Sequence, residues 1–225
     1  LAILIGVPVA ADNPSSAHVD HILLGVADLD SATAELAKTF GVTPVYGGKH
    51  PGGTHNALLS LGPTTYLELI ALQPGFKGKE IGIAELDHLS APTPIGWAVS
   101  GSDLSTLHTQ VERAGFASSA PSPGSRTTPT GNVLHWQTFD LTDEPAGAPF
   151  FIVWSPGTPH PASTSPSGCT LDSFAIASPA AARLRALVSK LSLPVAVTEA
   201  ADLSFSLTLT CPKGRISFPS ASPRP

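Results

Sequence analysis

The chain carries the sequence Val-Asp-His-Ile-Leu-Leu-Gly-Val at residues 19–26, a run rich in strand-forming residues. Asp28, Asp30 and Ser31 follow it closely, and such side chains cap the N-termini of helices. Apolar residues then recur at helical spacing up to Gly41, a residue type that often ends a helix. This stretch therefore predicts a strand followed by an amphipathic helix.

The same order of elements repeats along the chain. Three short apolar runs follow the helix and complete a βαβββ unit. These runs span residues 42–46, 55–61 and 65–72. A second unit starts with a strand at 94–99, and a third starts with a strand at 170–177. The later strands of the second unit are expected at residues 116–117, 133–141 and 149–154.

A single βαβββ unit has an open sheet face that it cannot bury alone. The sequence therefore predicts an α+β fold in which three βαβββ units form a cupped mixed sheet with the helices outside. The predicted units span residues 18–75, 92–156 and 168–218. We expect the concave face to bind a ligand, and the polar stretches 121–131 and 155–168 to be rim loops.

The third unit has no obvious partner, because these sheets close in pairs. Two arrangements follow from this. The third unit either caps the first two units or meets its own copy in a symmetric homodimer.

The two ends of the chain are expected to lie outside the units, as a leader at residues 1–17 and a disordered tail at 219–225. The first eleven residues are almost all apolar, and Val9-Ala10-Ala11 resembles the end of a secretory signal peptide. A short strand or a disordered leader is the alternative. A signal peptide would place the protein in an extracytoplasmic compartment, secreted or periplasmic, and without one it would be cytoplasmic.

The composition argues against some classes of partner. The net charge of −5 over 225 residues argues against a nucleic-acid-binding protein, which usually carries a basic stripe. No run of 18 apolar residues occurs, so no membrane span is expected. Cys169 and Cys211 permit one optional disulfide.

Glu68 lies in the apolar strand Tyr-Leu-Glu-Leu-Ile at 66–70, where a buried carboxylate needs a partner. His21 and His55 are candidate partners, because two imidazoles and a carboxylate form a common ligand set for Zn, Fe, Mn or Ni. The sequence equally allows Glu68 to pair with Lys49 or Arg126, or to accept hydrogen bonds from backbone amides. His21 could likewise be a core histidine.

Several of these stretches together resemble the glyoxalase-like branch of the vicinal oxygen chelate superfamily. The matching residues are 19–30, 46–62, 65–71, 94–99, 149–154, 160–161 and 168–171. The resemblance implies paired βαβββ units around a divalent metal, with small substrates that chelate it through adjacent oxygens. It places metal ligands at His21 and Glu68, and His55 matches a histidine often seen in this branch.

The second unit departs from the pattern of many metal-binding relatives. Pro94 and Val153 stand where His21 and Glu68 stand in the first unit, and neither can bind a metal. His135 is offered as a substitute from the second unit. We expect catalysis to involve Glu68 and His135, and His50, His135 or a carboxylate not bound to a metal could serve as the base of a proton transfer.

A further set of side chains is expected to bind the substrate. They are His50, Asn56, Trp97, Trp136 and Trp154, with Phe151 completing an aromatic cup. The predicted function is a metal-dependent enzyme of the lyase, isomerase or dioxygenase type that acts on a small oxygen-chelating molecule. The alternative is a non-catalytic protein that binds or sequesters a small molecule on the same fold.

Overall fold

The computed structural model describes residues 17–76 and 86–219. The strands in these residues are β1 (His18–Gly25), β2 (Val45–Lys49), β3 (Thr54–Ser60), β4 (Tyr66–Leu72), β5 (Thr93–Ser100), β6 (Ser122–Thr127), β7 (Val133–Phe139), β8 (Phe150–Trp154), β9 (Thr170–Ser178), β10 (Ala196–Glu199), β11 (Ser204–Cys211) and β12 (Gly214–Pro219). The helices are α1 (Leu29–Phe40), α2 (Leu104–Arg113), α3 (Pro161–Thr164) and α4 (Ala181–Lys190), with a 3-10 turn at Leu86–His88.

The first eight strands close into one barrel, in the order β1-β4-β3-β2-β6-β7-β8-β5. Strands β1 and β5 pair antiparallel over their whole length and join the first predicted unit to the second. On the other side, Lys49 of β2 pairs with Thr127 of β6. The expected α+β fold with a curled mixed sheet is confirmed, and closure leaves these eight strands without a free edge.

Helix α1 begins where the sequence predicts, and both long helices of the barrel have a side-chain cap at their N-terminus. Asp28 caps α1 by accepting from the backbone N–H of Ser31 at 2.8 Å, and Gly41 ends the helix with a left-handed φ of 76°. Asp103 caps α2 by accepting from the backbone N–H of Thr106. Apolar side chains of both helices belong to the main hydrophobic core, so the helices cover the outside of the barrel.

The third predicted unit forms its own four-stranded sheet, in the order β10-β9-β11-β12, and packs against the barrel. Phe174 lies against Trp97 with ring centroids 5.7 Å apart, and Phe218 lies against Phe40 at 6.1 Å. Arg183 of α4 forms an ion pair with Asp143 of the second unit. The third unit therefore caps the barrel, which is one of the two expected arrangements. The homodimer stays a prediction.

Two local predictions in the second unit are wrong. Residues 122–127, expected in a polar loop, form β6 and pair with β7 along their whole length. Their sequence, Ser-Pro-Gly-Ser-Arg-Thr, has turn chemistry, but closing the barrel between β2 and β7 requires a strand there. The segment around Phe116–Ala117 is not a strand, and only an isolated bridge between Ser118 and Leu141 forms nearby. The expected rim loop 155–168 contains the single-turn helix α3.

Apart from residues 17 and 219, the expected leader and tail lie outside the described residues. The boundaries of the three units stay predictions. Among the described helices, none is long and apolar enough to cross a membrane.

Cys169 and Cys211 form the disulfide that the sequence left optional, across 42 residues of the third unit. We expect the unfolded, unreduced protein to show no reactive thiol in a thiol titration, and to show two after reduction. A Cys169→Ser variant should show one thiol without reductant. Its free energy of unfolding should fall by about 2–4 kcal/mol, because the bridge restricts the unfolded chain. Two free thiols in the unreduced wild type would contradict the bridge.

Candidate functional site

The barrel encloses a cavity of about 680 Å³. Strands β1, β3 and β4, with the β2–β3 turn, supply a polar wall formed by His21, His50, Thr54, Asn56, Tyr66 and Glu68. Strands β5, β7 and β8 supply a mainly apolar wall formed by Ile95, Trp97, Trp136, Phe150, Ile152 and Trp154. The third unit adds Leu203 and Phe205 to the lining. The cavity thus joins a chemically reactive side to an aromatic side.

The most deeply buried charged group is Asp20, next to His21 on β1. The pairing of β1 with β5 skips Asp20, so a β-bulge lies there and changes the direction of its side chain. One carboxylate oxygen lies 2.7 Å from Nδ1 of His21. The other lies 3.0 Å from Nε2 of His160 and accepts from Nε1 of Trp154 at 3.2 Å. Asp20 therefore joins β1 to β8 and to the segment that follows it.

The charge of Asp20 determines which ring nitrogens carry protons. Burial alone would raise the pKa of Asp20, but hydrogen bonds from His160 and His21 outweigh this effect and lower the pKa to about 2. The ionised carboxylate only accepts, so Nδ1 of His21 donates to it. His160 must donate from Nε2, because its Nδ1 accepts from the backbone N–H of Ala162. Nε2 of His21 is consequently directed at Glu68.

Glu68 lies on β4 and is only 5% exposed. Its Oε2 atom lies 3.6 Å from Nε2 of His21. Its Oε1 atom accepts a hydrogen bond from Nδ2 of Asn56 at 2.8 Å and lies 3.9 Å from Nε2 of His50. Glu68 therefore keeps one oxygen facing His21, and that oxygen accepts no hydrogen bond from the described residues.

Asn56 separates Glu68 from a buried cation. Its Oδ1 atom accepts from Nη1 of Arg126 at 3.3 Å, while its Nδ2 donates to Glu68. The orientation of the amide is fixed, because the carboxylate can only accept and the guanidinium can only donate. No ion pair joins Arg126 to a carboxylate of the described residues. The direct pair of Glu68 with Arg126, one of the alternatives left open by the sequence, is replaced by this amide bridge.

His50 and Tyr66 complete the polar wall as neutral groups. Nδ1 of His50 lies 2.8 Å from the hydroxyl oxygen of Thr54. Burial is the main cause that lowers the pKa of His50 below its ordinary value. The Tyr66 ring stacks on His21 with centroids 4.7 Å apart, and burial raises the pKa of its hydroxyl well above the ordinary value.

Three predicted positions lie away from the cavity. His55 follows Thr54 on β3, and adjacent strand residues face opposite sides, so its ring lies near Tyr46 outside the cavity. His135 precedes Trp136 on β7 in the same way and is exposed. Phe151 is fully buried between the barrel and the outer layer, where it stacks on Phe139. The placement of His55 as a metal ligand, His135 as a catalytic residue and Phe151 in the cup is therefore corrected.

The remaining predicted positions are brought together. His21, Glu68, His50, Asn56, Trp97, Trp136 and Trp154 all line the cavity. The substrate-binding roles of these side chains stay predictions.

The predicted metal set His21, His55 and Glu68 is not assembled, because His55 lies on the other side of β3. In residues 17–76 and 86–219, no group of three or more His, Cys, Asp or Glu side chains is arranged to hold a metal ion. The described donors do not fit a metal centre built from three protein ligands. His21 and Glu68 remain as a pair.

Sequence reasoning named Arg126 only as an alternative ion-pair partner of Glu68, in a segment that was expected to be a loop, and it missed the roles of Asp20 and His160. Asp20 stands beside His21 in an otherwise apolar strand, which is a visible but unused signal. His160 stands before Pro161 at the start of a helix, and nothing in the local sequence indicates that it reaches β1.

The sequence profile of the glyoxalase-like domain matches residues 19–192. The chain belongs to the glyoxalase-like domain family. This confirms the resemblance to the glyoxalase-like branch of the vicinal oxygen chelate superfamily. No curated protein sequence matches this glyoxalase-like protein.

Solved structures with a similar fold include a hypothetical protein from Staphylococcus aureus, with a TM-score of 0.60, 16% identity, and coverage of 92% of this chain and 87% of that chain. Methylmalonyl-CoA epimerase from Mycobacterium tuberculosis has a TM-score of 0.43 and 19% identity, over 66% of this chain and 93% of its own. A mutant 4-hydroxymandelate synthase from Streptomyces coelicolor has a TM-score of 0.48 and 15% identity, over 91% of this chain and 63% of its own. The first likeness shows a shared fold.

Because Asp20 is buried and ionised, its substitution is expected to change the free energy of unfolding. We expect Asp20→Asn to lower the free energy of unfolding at neutral pH by about 2–4 kcal/mol, because the amide loses the charge and turns an N–H₂ group toward donors. The folded-state pKa of Asp20 is depressed, so its contribution of about 2 kcal/mol is present above the unfolded pKa near 3.8 and is lost as the pH falls toward 2.

Urea denaturation of wild type and variant from neutral pH down to about pH 3 measures this effect. The difference between them should shrink below about pH 4. Asp202→Asn, at an exposed position, is the matched control and should change little. A difference that stays constant over the whole range would contradict the assigned charge.

Proposed function

We propose that this glyoxalase-like protein is an enzyme of the isomerase or lyase type that moves a proton at a carbon atom of a small molecule bound in the barrel cavity. One observation carries the proposal. Oε2 of Glu68 and Nε2 of His21 lie 3.6 Å apart in the cavity wall, and the buried Asp20 supports the imidazole from behind. Paired titratable groups in a cavity are candidates for acid–base catalysis.

Oε2 of Glu68 and Nε2 of His21 are suited to opposite roles in the proton transfer. Glu68 is the proposed base, because its Oε2 is open to the cavity while Asn56 holds Oε1. It would take a proton from a carbon next to a carbonyl group, and the electron pair of the C–H bond would pass to the carbonyl oxygen. His21 is the proposed acid, because Asp20 holds its Nδ1 and leaves Nε2 facing Glu68 in the cavity wall.

The surroundings support this chemistry in two ways. Glu68 and His21 are 5% and 2% exposed, so bulk water has little access to either group. The apolar wall from the second unit covers the opposite side and lowers the local polarity, which strengthens electrostatic interactions with a developing oxyanion. A cavity of about 680 Å³ also matches the usual size of small-molecule sites.

The test follows exchange of carbon-bound hydrogen in D₂O by NMR, over a panel of small ketones and acids with a hydrogen next to the carbonyl group. We expect the wild type to catalyse exchange in at least one compound, and Glu68→Gln to lose at least about 100-fold in rate. Glu199→Gln makes the same change at an exposed position and should keep the wild-type rate. Equal rates in the wild type and Glu68→Gln would overturn the role of Glu68.

A non-catalytic protein that sequesters a small molecule is the alternative that shares this cavity. It predicts that compounds bind, as seen in the fluorescence of the three cavity tryptophans, without any hydrogen exchange. Under this alternative, neither the wild type nor Glu68→Gln would catalyse exchange.

Metal dependence is the second candidate, because one observation favours it. A carboxylate that holds the far nitrogen of a histidine, as Asp20 holds His21, commonly orients a metal ligand. His21 and Glu68 would be the protein ligands, and Zn, Fe, Mn and Ni all accept such donors. Since the described residues offer no third ligand, no step of the proposed reaction is assigned to a metal.

Elemental analysis of the purified protein tests this second candidate. Metal binding at the pair predicts one ion per chain in the wild type and a loss of metal in both His21→Ala and Glu68→Ala. Equal metal content in all three proteins would remove the site.

We also propose an extracytoplasmic location. The Cys169–Cys211 disulfide supports this, because disulfides persist in oxidising compartments and are rare in the cytoplasm.

A further inference from the structure

The cavity contains a buried cation that the proposed proton transfer does not use. Arg126 lies on β6 and is only 4% exposed. Among the described residues that line the cavity, it is the single arginine or lysine. Its hydrogen bond to a protein side chain, from Nη1 to Oδ1 of Asn56, is long at 3.3 Å and ends on a neutral acceptor.

Buried charged groups are ordinarily paired with an opposite charge. Two arginines at the surface have carboxylate partners, since Arg183 pairs with Asp143 and Arg215 pairs with Asp172. Arg126 has five N–H donors and no carboxylate partner in the described part of the chain. Arg126 lines the cavity, and the described residues give its side chain no hydrogen-bond acceptor other than Asn56, so donors remain for a ligand.

The neighbouring strand makes room for this guanidinium. A Cβ atom added to Gly47 of β2 would collide with Nη1 of Arg126 and with Oδ1 of Asn56. A Cβ atom on the next residue, Gly48, would collide with the backbone of Thr127. Two consecutive glycines therefore let β2 approach β6 closely enough for Arg126 to lie beneath them. The close approach of the β2 and β6 backbones thus determines the position of the guanidinium.

We propose that Arg126 binds a carboxylate of the substrate, so that the substrate class is small monoanionic acids with an aromatic or apolar body. This inference names the substrate of the proposed function and rests on it for the chemistry, while the binding itself can be measured separately. A planar carboxylate matches the fork of donors on a guanidinium. The indole rings opposite provide apolar surface for the remainder of the molecule.

The other charges around the cavity favour one negative charge over two. Glu68 lines the same wall, Asp20 lies behind His21, and the exposed carboxylates of Asp140 and Glu144 also line the cavity. Among the described lining residues, Arg126 is the single arginine or lysine beside three carboxylates, and Asp20 adds a fourth behind His21. A dianionic phosphate ester would meet more repulsion than a monocarboxylate does. The amide of Asn56 holds both Arg126 and Glu68 in one site. A substrate whose carboxylate binds Arg126 can therefore present its C–H group to Glu68.

The experiment uses 3-phenylpropionate and its uncharged amide, 3-phenylpropionamide, as probes of almost equal shape. All three tryptophans of the chain line the cavity, so quenching of intrinsic fluorescence reports binding. We expect the wild type to bind the acid about tenfold or more tightly than the amide. A hydrogen bond to a charged group contributes enough binding free energy for a difference of this size in the dissociation constant. Equal affinity for the two probes, or no binding of either in the millimolar range, would overturn the proposal.

Variants separate the role of Arg126 from general damage to the fold. Arg126→Gln should abolish the preference for the acid, and Arg126→Lys should retain part of it, because lysine keeps the charge without the fork. Gly47→Ala keeps the arginine but displaces its guanidinium, and Gly47 does not have a left-handed φ that alanine would strain. It should weaken the preference several-fold. A preference that survives in Arg126→Gln would overturn the proposal.

Two controls complete the design. Arg215→Gln removes the same charge at an exposed position and should bind both probes as the wild type does. Glu68→Gln loses hydrogen exchange but should bind the acid at least as tightly as the wild type does, because it removes a negative charge from the same wall. A preference for the acid without exchange in any compound would leave this inference standing and reject the enzyme. Exchange without a preference for the acid would do the reverse.

Discussion

The completely buried carboxylate of Asp20 holds the site together, because it must accept hydrogen bonds from three directions to stay ionised. One donor is its neighbour His21 on β1, and the other two, Trp154 and His160, come from the end of the second unit and the segment after it. The same three bonds therefore attach the second unit to the first and set the direction of the His21 ring. The carboxylate of Asp20 therefore both joins the two units and orients the His21 ring in the site.

A second constraint keeps opposite charges apart inside the barrel. Glu68 and Arg126 would neutralise each other as a direct ion pair, and neither would then be available to a ligand. The amide of Asn56 binds both, giving its N–H₂ group to the carboxylate and its oxygen to the guanidinium. One hydrogen bond to Asn56 thus positions each charged group. The second oxygen of Glu68 and the other N–H groups of Arg126 stay available to a ligand in the cavity.

The three predicted units contribute different parts of the cavity wall. The first unit supplies most of the polar wall, and the second supplies indole and phenyl rings together with Arg126. The third closes the cavity with Leu203 and Phe205 and is fastened by its contacts with Trp97 and Asp143. Because Pro94 and Val153 replace the polar positions of the first unit, the reactive groups lie on one side only. This asymmetry leaves Glu68 and the aromatic rings on opposite walls of the cavity.

The amino-acid sequence by itself determined the order of strands and helix in the first unit, the helix cap at Asp28, and the place of His21 and Glu68 in that unit. These features depend on local periodicity and on residue types that act within a few positions of themselves. It also determined the family, through short stretches in a set order.

Tertiary structure alone decided which histidine faces the cavity. All seven residues of β3 are buried, so the alternation that would distinguish Thr54 and Asn56 from His55 is absent from the sequence. Strand β6 could not be recognised from the local sequence either, because its proline and glycine predict a turn. Only its pairing with β2 and β7 makes it a strand. Arg126 and its partners meet across 70 residues of chain. Such contacts depend on the register of non-local strand pairs, which no local pattern specifies.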